Sequence, residues 1–134
     1  MPDRIVEDCE QFYLVYHEES QIIHHQWHQF IYGDNFRKCL MKGVELMEET
    51  GAAKWLSDDR NTGALAQEDF EWSTNIWRPR AFAAGWRYWA LVLPEKITGQ
   101  MSFRKILKTY YGDSPVNYSL FNDPDEGMKW LKAQ

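Results

Sequence analysis

Strand-like and helix-like patterns alternate along the chain, and this alternation constrains the fold more than any other feature of the sequence. The clearest helix begins at Asp34, which is expected to cap its first amides, and ends at Gly51 in a left-handed turn. Apolar runs at 86–93 and 115–121 predict strands. The helix carries one continuous apolar stripe, which consists of Phe36, Cys39, Leu40, Gly43, Val44 and Met47.

Two strand-like runs, 12–17 and 21–28, precede this helix and are joined by a short polar link. They predict an antiparallel hairpin whose turn is formed by Glu19 and Ser20. Because side chains alternate between the faces of a sheet, this turn fixes which residues share a face. It places Tyr16 opposite Ile23, Leu14 opposite His25, and Phe12 opposite Trp27.

The remaining elements follow in the order strand 53–57, helix 67–77, strand 86–93, a helix from Thr98, strand 115–121 and a helix from Asp123. Pro79 is expected to break or kink the second helix, because proline lacks an amide donor. The order β-β-α-β-α-β-α-β-α predicts one α/β domain over residues 1–134. Its sheet should be mixed and mostly parallel with right-handed crossovers, and its first strand should be antiparallel at or near an edge.

The charge balance argues against several classes of partner. The formal net charge is −5, and the 15 basic residues form no run, so nucleic acid is not expected. No apolar segment is long enough to span a membrane, and no hydrophobic signal-peptide core is present. Cys9 and Cys39 are too few for a disulfide framework. These features predict a soluble protein of the cytoplasm.

Three stretches carry a family resemblance: Lys-Trp-Leu-Ser-Asp-Asp-Arg at 54–60, Glu-Asp-Phe-Glu-Trp at 68–72 and Trp-Arg-Pro-Arg-Ala at 77–81. With the order of elements, they resemble the SpoIIAA-like superfamily, which includes the STAS domains of anti-sigma-factor antagonists and the lipid-binding CRAL-TRIO (Sec14-like) domains. More narrowly, the chain is similar from about Phe12 to Leu131 to small bacterial STAS/SEC14 domain-containing proteins, most of which have no assigned function.

The resemblance implies a regulatory docking domain, with one departure from the family pattern. STAS domains of the regulatory kind carry an Asp-Ser-Ser/Thr-Gly turn whose hydroxyl is phosphorylated. The corresponding segment, 61–69, contains no such turn, and Thr62-Gly63 lies earlier than the family's site. The resemblance therefore implies docking that does not depend on phosphorylation.

Asp58, Asp59 and Arg60 follow the third predicted strand at its carboxyl end. Ligands of open parallel sheets bind at that edge, which favours a binding site there. Adjacent aspartates point to opposite faces, so the two are not expected to act as one acid–base pair. The alternative is an ordinary cap or salt bridge between an aspartate and the arginine, and we favour it.

Four histidines raise the question of a metal site: His17, His24, His25 and His28. Zinc needs three or four converging ligands. His24 and His28 lie roughly 13 Å apart at about 3.3 Å per strand residue, and His25 faces the other way. Only His17 and His24 are expected to meet, across the hairpin. We predict neither a metal nor another cofactor.

The chain contains no nucleophile elbow, phosphate-binding glycine loop or dinucleotide fingerprint. Neither cysteine has a histidine beside it in the sequence to activate it. We therefore predict that the protein is not an enzyme. The alternative is an active site whose residues meet only in the folded chain.

Seven tryptophans are more than a core of this size usually needs. In the second predicted helix, Trp72 and Ile76 share one side, which is expected to face the sheet, and Trp77 lies on another. Trp77 with Arg78 and Arg80 has the composition of an interface hot spot. The alternative is that a bend at the proline buries both sides. The predicted ligand- or partner-binding residues are Asp58, Asp59, Arg60, Trp77, Arg78 and Arg80.

The sequence thus favours a non-enzymatic regulatory or protein-interaction domain that forms a homodimer through aromatic surface on the second helix. The alternative function is a carrier or sensor of a small apolar or lipid-like ligand. An aromatic-lined pocket between helices and sheet would be the mark of that second function. The sequence does not identify the protein partner or the ligand.

Overall fold

The computed structural model describes residues 3–134, so that Met1 and Pro2 lie outside the described part of the chain. It has an α/β architecture with one six-stranded sheet, in which the strands lie side by side in chain order. The strands are β1 (Arg4–Asp8), β2 (Phe12–His17), β3 (Ile22–Trp27), β4 (Lys54–Asp58), β5 (Tyr88–Val92) and β6 (Asn117–Phe121).

Within residues 3–134, five α-helices and two π-helical segments connect or follow the strands. The helices are α1 (Gly33–Thr50), α2 (Gln67–Trp72), α3 (Arg78–Ala84), α4 (Ile97–Ile106) and α5 (Pro124–Lys132). The first π segment, Ser73–Trp77, joins α2 directly to α3. The second π segment, Leu107–Tyr111, extends α4.

The sheet is mixed and mostly parallel, which confirms the predicted class. β1, β2 and β3 pair antiparallel, whereas β3 to β6 pair parallel. The hairpin register is confirmed as well. Its three predicted pairs are present: Phe12 with Trp27, Leu14 with His25, and Tyr16 with Ile23.

The predicted order of elements was wrong at its start, because it lacked β1. The strand has the sequence Arg-Ile-Val-Glu-Asp, is only partly buried and contains an irregularity between Ile5 and Glu7. A short edge strand buries little apolar surface, so its sequence carries little of the alternation by which strands are recognised. The hairpin strand predicted to be first is therefore the second strand of the sheet.

Of the two effects predicted for Pro79, a break or a kink in the second helix, the break does not occur. The helical path continues from Gln67 to Ala84, and Pro79 stands in the first turn of α3. In a regular helix the proline ring collides with the carbonyl of the preceding turn. The first π segment lies immediately before Arg78, and its wider turn accommodates the ring.

The two predicted ends of α1 have different outcomes. Gly51 ends the helix in the left-handed region with φ 76°, as predicted. Asp34 does not cap its start, because the cap residue is Tyr32 and makes no side-chain cap bond. Instead, the Gly33 amide donates to Oδ2 of Asp69, in α2, at 2.9 Å. A buried carboxylate from another helix thus replaces the expected local cap.

Helices cover both faces of the sheet, but unequally. The larger core joins α1, the α2–α3 unit and α4 with its π segment to one face of the sheet. On the other face, α5 packs Leu131 against Leu56 and Ala90 of β4 and β5. None of the helices described over residues 3–134 is long and apolar enough to cross a membrane.

Candidate functional site

A cavity lies between the sheet and the helices α1, α2–α3 and α4, and its lining extends from the amino-terminal halves of β4 and β5 to residues that follow the carboxyl ends of β3 and β4. Its volume is about 80 Å³ for water-sized molecules. Buried side chains from β3, β4 and β5 form its floor, and half-buried ones such as Leu65, Phe70 and Thr74 form its mouth. Its aromatic lining includes Trp27, Trp55, Trp77, Trp86, Trp89 and Tyr111.

The aromatic rings that line the cavity meet one another at steep angles. The ring centroids of Trp55 and Trp77 are 5.5 Å apart with planes at 88°. Trp86 contacts Trp77 at 5.2 Å and 66°, and Trp89 at 5.2 Å and 60°. Trp89 in turn meets Tyr111 at 5.0 Å and 54°. Such edge-to-face contacts are favourable, and they make the rings adjoining walls instead of a flat stack.

The indole N–H groups of three of these tryptophans already donate hydrogen bonds to protein acceptors. Three indole N–H groups donate as follows: Trp55 to His25 Nδ1 at 2.9 Å, Trp77 to the Leu40 carbonyl at 2.7 Å, and Trp89 to Ser57 Oγ at 2.8 Å. A buried indole N–H needs an acceptor, and each of these has one. The tryptophans therefore offer mainly carbon surface to the cavity.

His25 and Asp59 supply a pair of titratable groups in a mainly apolar lining. Nε2 of His25 lies 2.9 Å from Oδ1 of Asp59, and each residue is only 3% exposed. An indole nitrogen can only donate, so Nδ1 of His25 accepts from Trp55 and carries no proton. Nε2 therefore carries the proton and donates it to Asp59. His25 is neutral in this arrangement, and both of its ring nitrogens are engaged.

Burial raises the pKa of Asp59 above the ordinary value for a carboxyl group. Desolvation penalises the charged form, whereas the hydrogen bond from His25 favours it and acts in the opposite direction. Asp59 faces the cavity, so a group bound there would act directly on this balance.

The other two residues of the predicted Asp58-Asp59-Arg60 site lie outside the cavity. Asp58 accepts hydrogen bonds from Nε and Nη2 of Arg60, both at 2.9 Å. Because neighbouring strand residues point to opposite faces, Asp58 and Asp59 are separated by the sheet. The favoured alternative, a salt bridge between an aspartate and the arginine, describes Asp58 and Arg60, whereas Asp59 lines the cavity.

In the structure, Trp77 takes the buried position that was predicted for Trp72. Trp77 is only 5% exposed and lines the cavity, whereas Trp72 is half-buried and its neighbour Ile76 is 60% exposed. The first π segment explains the difference. It adds a residue to the turn, which rotates the following side chains by about 100° from their expected positions. Ile76 consequently turns toward solvent, whereas Trp72, which precedes the π segment, stays partly buried against the core.

Arg78 and Arg80 do not line the cavity. Arg78 donates to the Tyr110 carbonyl at 3.0 Å, and its guanidinium lies 5.3 Å from the ring centroid of Tyr111. Arg80 forms a two-point ion pair with Glu48, at 2.9 and 2.7 Å. Of the six predicted site residues, the structure thus brings Asp59 and Trp77 together at the cavity.

Sequence reasoning did not select His25, Ser57 or Tyr111, which also line the cavity. For His25 a signal was present, because the predicted register placed it on the same face as Leu14 and Tyr16. A polar side chain on a buried strand face needs a partner, and that requirement identifies it. Tyr111 belongs to the second π segment, for which the sequence has no recognised pattern.

His17 and His24 meet across the hairpin, as predicted. Nε2 of His17 lies 3.0 Å from Nδ1 of His24, and the other His17 nitrogen lies 2.9 Å from Asp3. Among residues 3–134, no three His, Cys, Asp or Glu side chains converge as metal ligands. Burial, followed by the neighbouring His17, lowers the pKa of His24 to about 4.

This lowered pKa makes the stability depend on pH. Unfolded chains protonate His24 near its ordinary pKa of 6.5, whereas the folded chain resists protonation until about pH 4. The contribution of neutral His24 to the free energy of unfolding should therefore be complete above pH 6.5 and be lost as the pH falls toward 4. Between pH 7 and pH 5 we expect a loss of roughly 1–2 kcal/mol from this group, measured by urea unfolding.

The substitution His24→Gln should remove this part of the pH dependence. His28→Gln, which changes an exposed histidine just beyond the same strand, should retain it. An equal loss of stability between pH 7 and pH 5 in the wild type and in His24→Gln would contradict the assignment.

Comparisons with known proteins do not assign this site. No protein-family model matches the chain, and neither curated proteins nor solved structures gave a significant match. The SpoIIAA-like resemblance stays a prediction, and the function is argued from the geometry of the cavity.

Proposed function

We propose that this chain binds a small, largely apolar molecule in the aromatic cavity and acts as its carrier or sensor. The observation that carries the proposal is the cavity itself, lined mainly by aromatic rings, with a pair of titratable groups at His25 and Asp59. Ligand sites in proteins are typically apolar concavities with a few convergent polar groups. Asp59, Thr62 and Gly63 of the lining follow the carboxyl end of β4, which is the usual ligand position in open α/β sheets.

The size of the cavity limits the ligand. One water needs roughly 10–15 Å³ on this measure, so a cavity of about 80 Å³ holds several waters or one small organic molecule. Sites for drug-sized ligands have volumes of roughly 300–1,000 Å³. A phospholipid with long acyl chains exceeds the space in this conformation. The proposal therefore concerns a small ligand and not a membrane lipid.

The backbone at the cavity supports a binding role. Both π segments contribute to the lining, the first through Ser73, Thr74 and Trp77 and the second through Tyr111. π turns inside helices cost hydrogen-bond geometry and are frequent at functional sites. Here they direct Trp77 and Tyr111 into the cavity.

The interaction-domain hypothesis relied mainly on Trp77 as an exposed interface residue. Trp77 is buried, so it does not support that hypothesis. The homodimer also stays a prediction. A SpoIIAA-like fold with right-handed crossovers is compatible with the proposed function, and we include it in the proposal. It is supported by the parallel order of β3 to β6 and by the connecting helices on one face.

Filling the mouth of the cavity tests the proposal. Thr74 lines the mouth and is half-buried, so Thr74→Phe should place a ring in the space that a ligand needs. We expect the wild type to show saturable changes in tryptophan fluorescence with at least one of four probes: toluene, benzyl alcohol, 3,3-dimethylbutan-1-ol or choline. Thr74→Phe should weaken that binding by about tenfold or more, which corresponds to about 1.4 kcal/mol.

Asn75→Phe is the matched control, because Asn75 is exposed on the same π segment and does not line the cavity. It should bind the probe like the wild type. If none of the four probes binds, or if Thr74→Phe and Asn75→Phe bind equally well, the cavity is a packing defect and the proposal fails.

A further inference from the structure

We propose that the ligand is a small organic cation, an amine or a quaternary ammonium ion, held by the tryptophan walls of the cavity and by Asp59. This inference rests on the proposed function and specifies the chemical class of its ligand. Three observations carry it: a buried carboxyl group at Asp59 that has no lysine or arginine partner, the state of His25, and the orientation of the tryptophans.

Asp59 is a buried carboxyl group without a positive partner in the described chain. Two other buried aspartates have one: Asp58 pairs with Arg60 at 2.9 Å, and Asp69 pairs with Arg37 at 3.4 Å. Among residues 3–134, no lysine or arginine forms a salt bridge with Asp59, and the only basic side chain within salt-bridge distance of it is that of His25. Buried charged groups are normally paired, so Asp59 is the exception among these three buried aspartates.

His25 does not supply the missing charge. Its Nδ1 accepts the indole proton of Trp55 at 2.9 Å, so the ring cannot carry a second proton without losing that bond. It therefore gives Asp59 a hydrogen bond but no countercharge. A cation in the cavity would supply that charge beside a carboxyl group that is only 3% exposed, where the attraction is screened less than in bulk water.

The walls of the cavity suit a cation as well. The faces of aromatic rings attract positive charge, most strongly in tryptophan, and cages of such rings are a known way to bind quaternary ammonium groups. Trp77, Trp86 and Trp89 meet at steep angles, as adjoining walls must. One face of Tyr111 is covered by the Arg78 guanidinium, so the tryptophans are the rings we assign to the ligand.

An anionic ligand fits the same cavity poorly. The indole donors of Trp55, Trp77 and Trp89 are engaged with protein acceptors, and the His25 proton is donated to Asp59. An anion would find few free donors and would lie beside a carboxyl group. The formal net charge of −5 opposes it further.

A pair of probes with the same shape separates charge from apolar contact. Choline and 3,3-dimethylbutan-1-ol differ only in the atom at the branch point, nitrogen in the first and carbon in the second. We expect isothermal titration calorimetry to show that choline binds at least about tenfold more tightly to the wild type. Asp59→Asn keeps the volume and removes the charge, and should reduce this preference to less than about threefold.

Asp58→Asn is the matched control, because it removes a buried charge one residue away on the opposite face of the sheet. It should retain the preference for choline.

Equal or tighter binding of 3,3-dimethylbutan-1-ol to the wild type would overturn the cation inference and leave the proposed function standing. Binding of neither probe up to about 10 mM would also overturn it, and the Thr74→Phe comparison with toluene and benzyl alcohol then decides the proposed function separately. The wild-type comparison needs no variant, so it holds even if Asp59→Asn does not fold.

Discussion

Replacing Trp77 with alanine is expected to lower the free energy of unfolding by about 3–5 kcal/mol, the usual cost of deleting a large core side chain. Trp77 is 5% exposed, and its ring meets those of Trp55 and Trp86 within 5.5 Å. Its N–H group donates to the Leu40 carbonyl. The substitution therefore removes ring contacts, enlarges an existing cavity and deletes the hydrogen bond from the indole to the Leu40 carbonyl.

Trp72→Ala is the matched control in the same helical unit. Trp72 is half-buried, and the Arg37 guanidinium lies over its ring at 5.4 Å. Its removal should cost less than about 2 kcal/mol, because its side chain is less buried than that of Trp77. Urea unfolding of both variants at pH 7 measures the difference. Equal costs, or a larger cost for Trp72→Ala, would show that the π segment does not place Trp77 in the core.

Gly43→Ala is expected to destabilise the protein by about 2–3 kcal/mol, although alanine favours helices over glycine by about 1 kcal/mol. Gly43 lies on the buried face of α1, where an added Cβ would overlap the ring of Trp55. Trp55 is 1% exposed and is tied to His25, so it has little freedom to move aside. The helix must then shift away from the sheet or the ring must leave its position.

Gly112→Ala provides the control for this substitution. Gly112 has right-handed helical angles, φ −58° and ψ −42°, and a Cβ there would meet only the Lys108 carbonyl at an ordinary 3.5 Å. Its effect on stability should be within about 0.5 kcal/mol of zero. Thermal and urea unfolding measure both variants. A neutral or stabilising Gly43→Ala would contradict the close packing of α1 on Trp55.

The parts of the fold that were predicted correctly depend on local patterns. The stripe from Phe36 to Met47 identifies α1 because one helix face packs on the sheet. The register of β2 and β3 follows from a short turn, and the start of α5 follows from Asp123, whose side chain accepts from the Asp125 amide at 3.0 Å. In each case, neighbouring residues alone determine the geometry.

The parts that were missed depend on contacts between distant segments. Asp69 binds the start of α1 from another helix. The direction in which the Trp77 side chain leaves its helix depends on a π segment that no sequence periodicity indicates. The site shows the same division. The position of Asp59 at a strand end could be predicted, but its bond to His25 joins residues 34 positions apart. No local pattern predicts which of the tryptophans line a cavity.

The indole N–H signals in a ¹H–¹⁵N NMR spectrum test the central claim, that the aromatic cavity is a ligand site, most directly. Five tryptophans line the cavity, whereas Trp72 and Trp130 do not, and Trp130 packs on the opposite face of the sheet. Saturation with choline or 3,3-dimethylbutan-1-ol, whichever binds, should shift the signals of Trp55, Trp77 and Trp89 and leave that of Trp130 unchanged. Shifts confined to Trp72 and Trp130, or no shift at any indole, would contradict the assignment of the cavity as a ligand site.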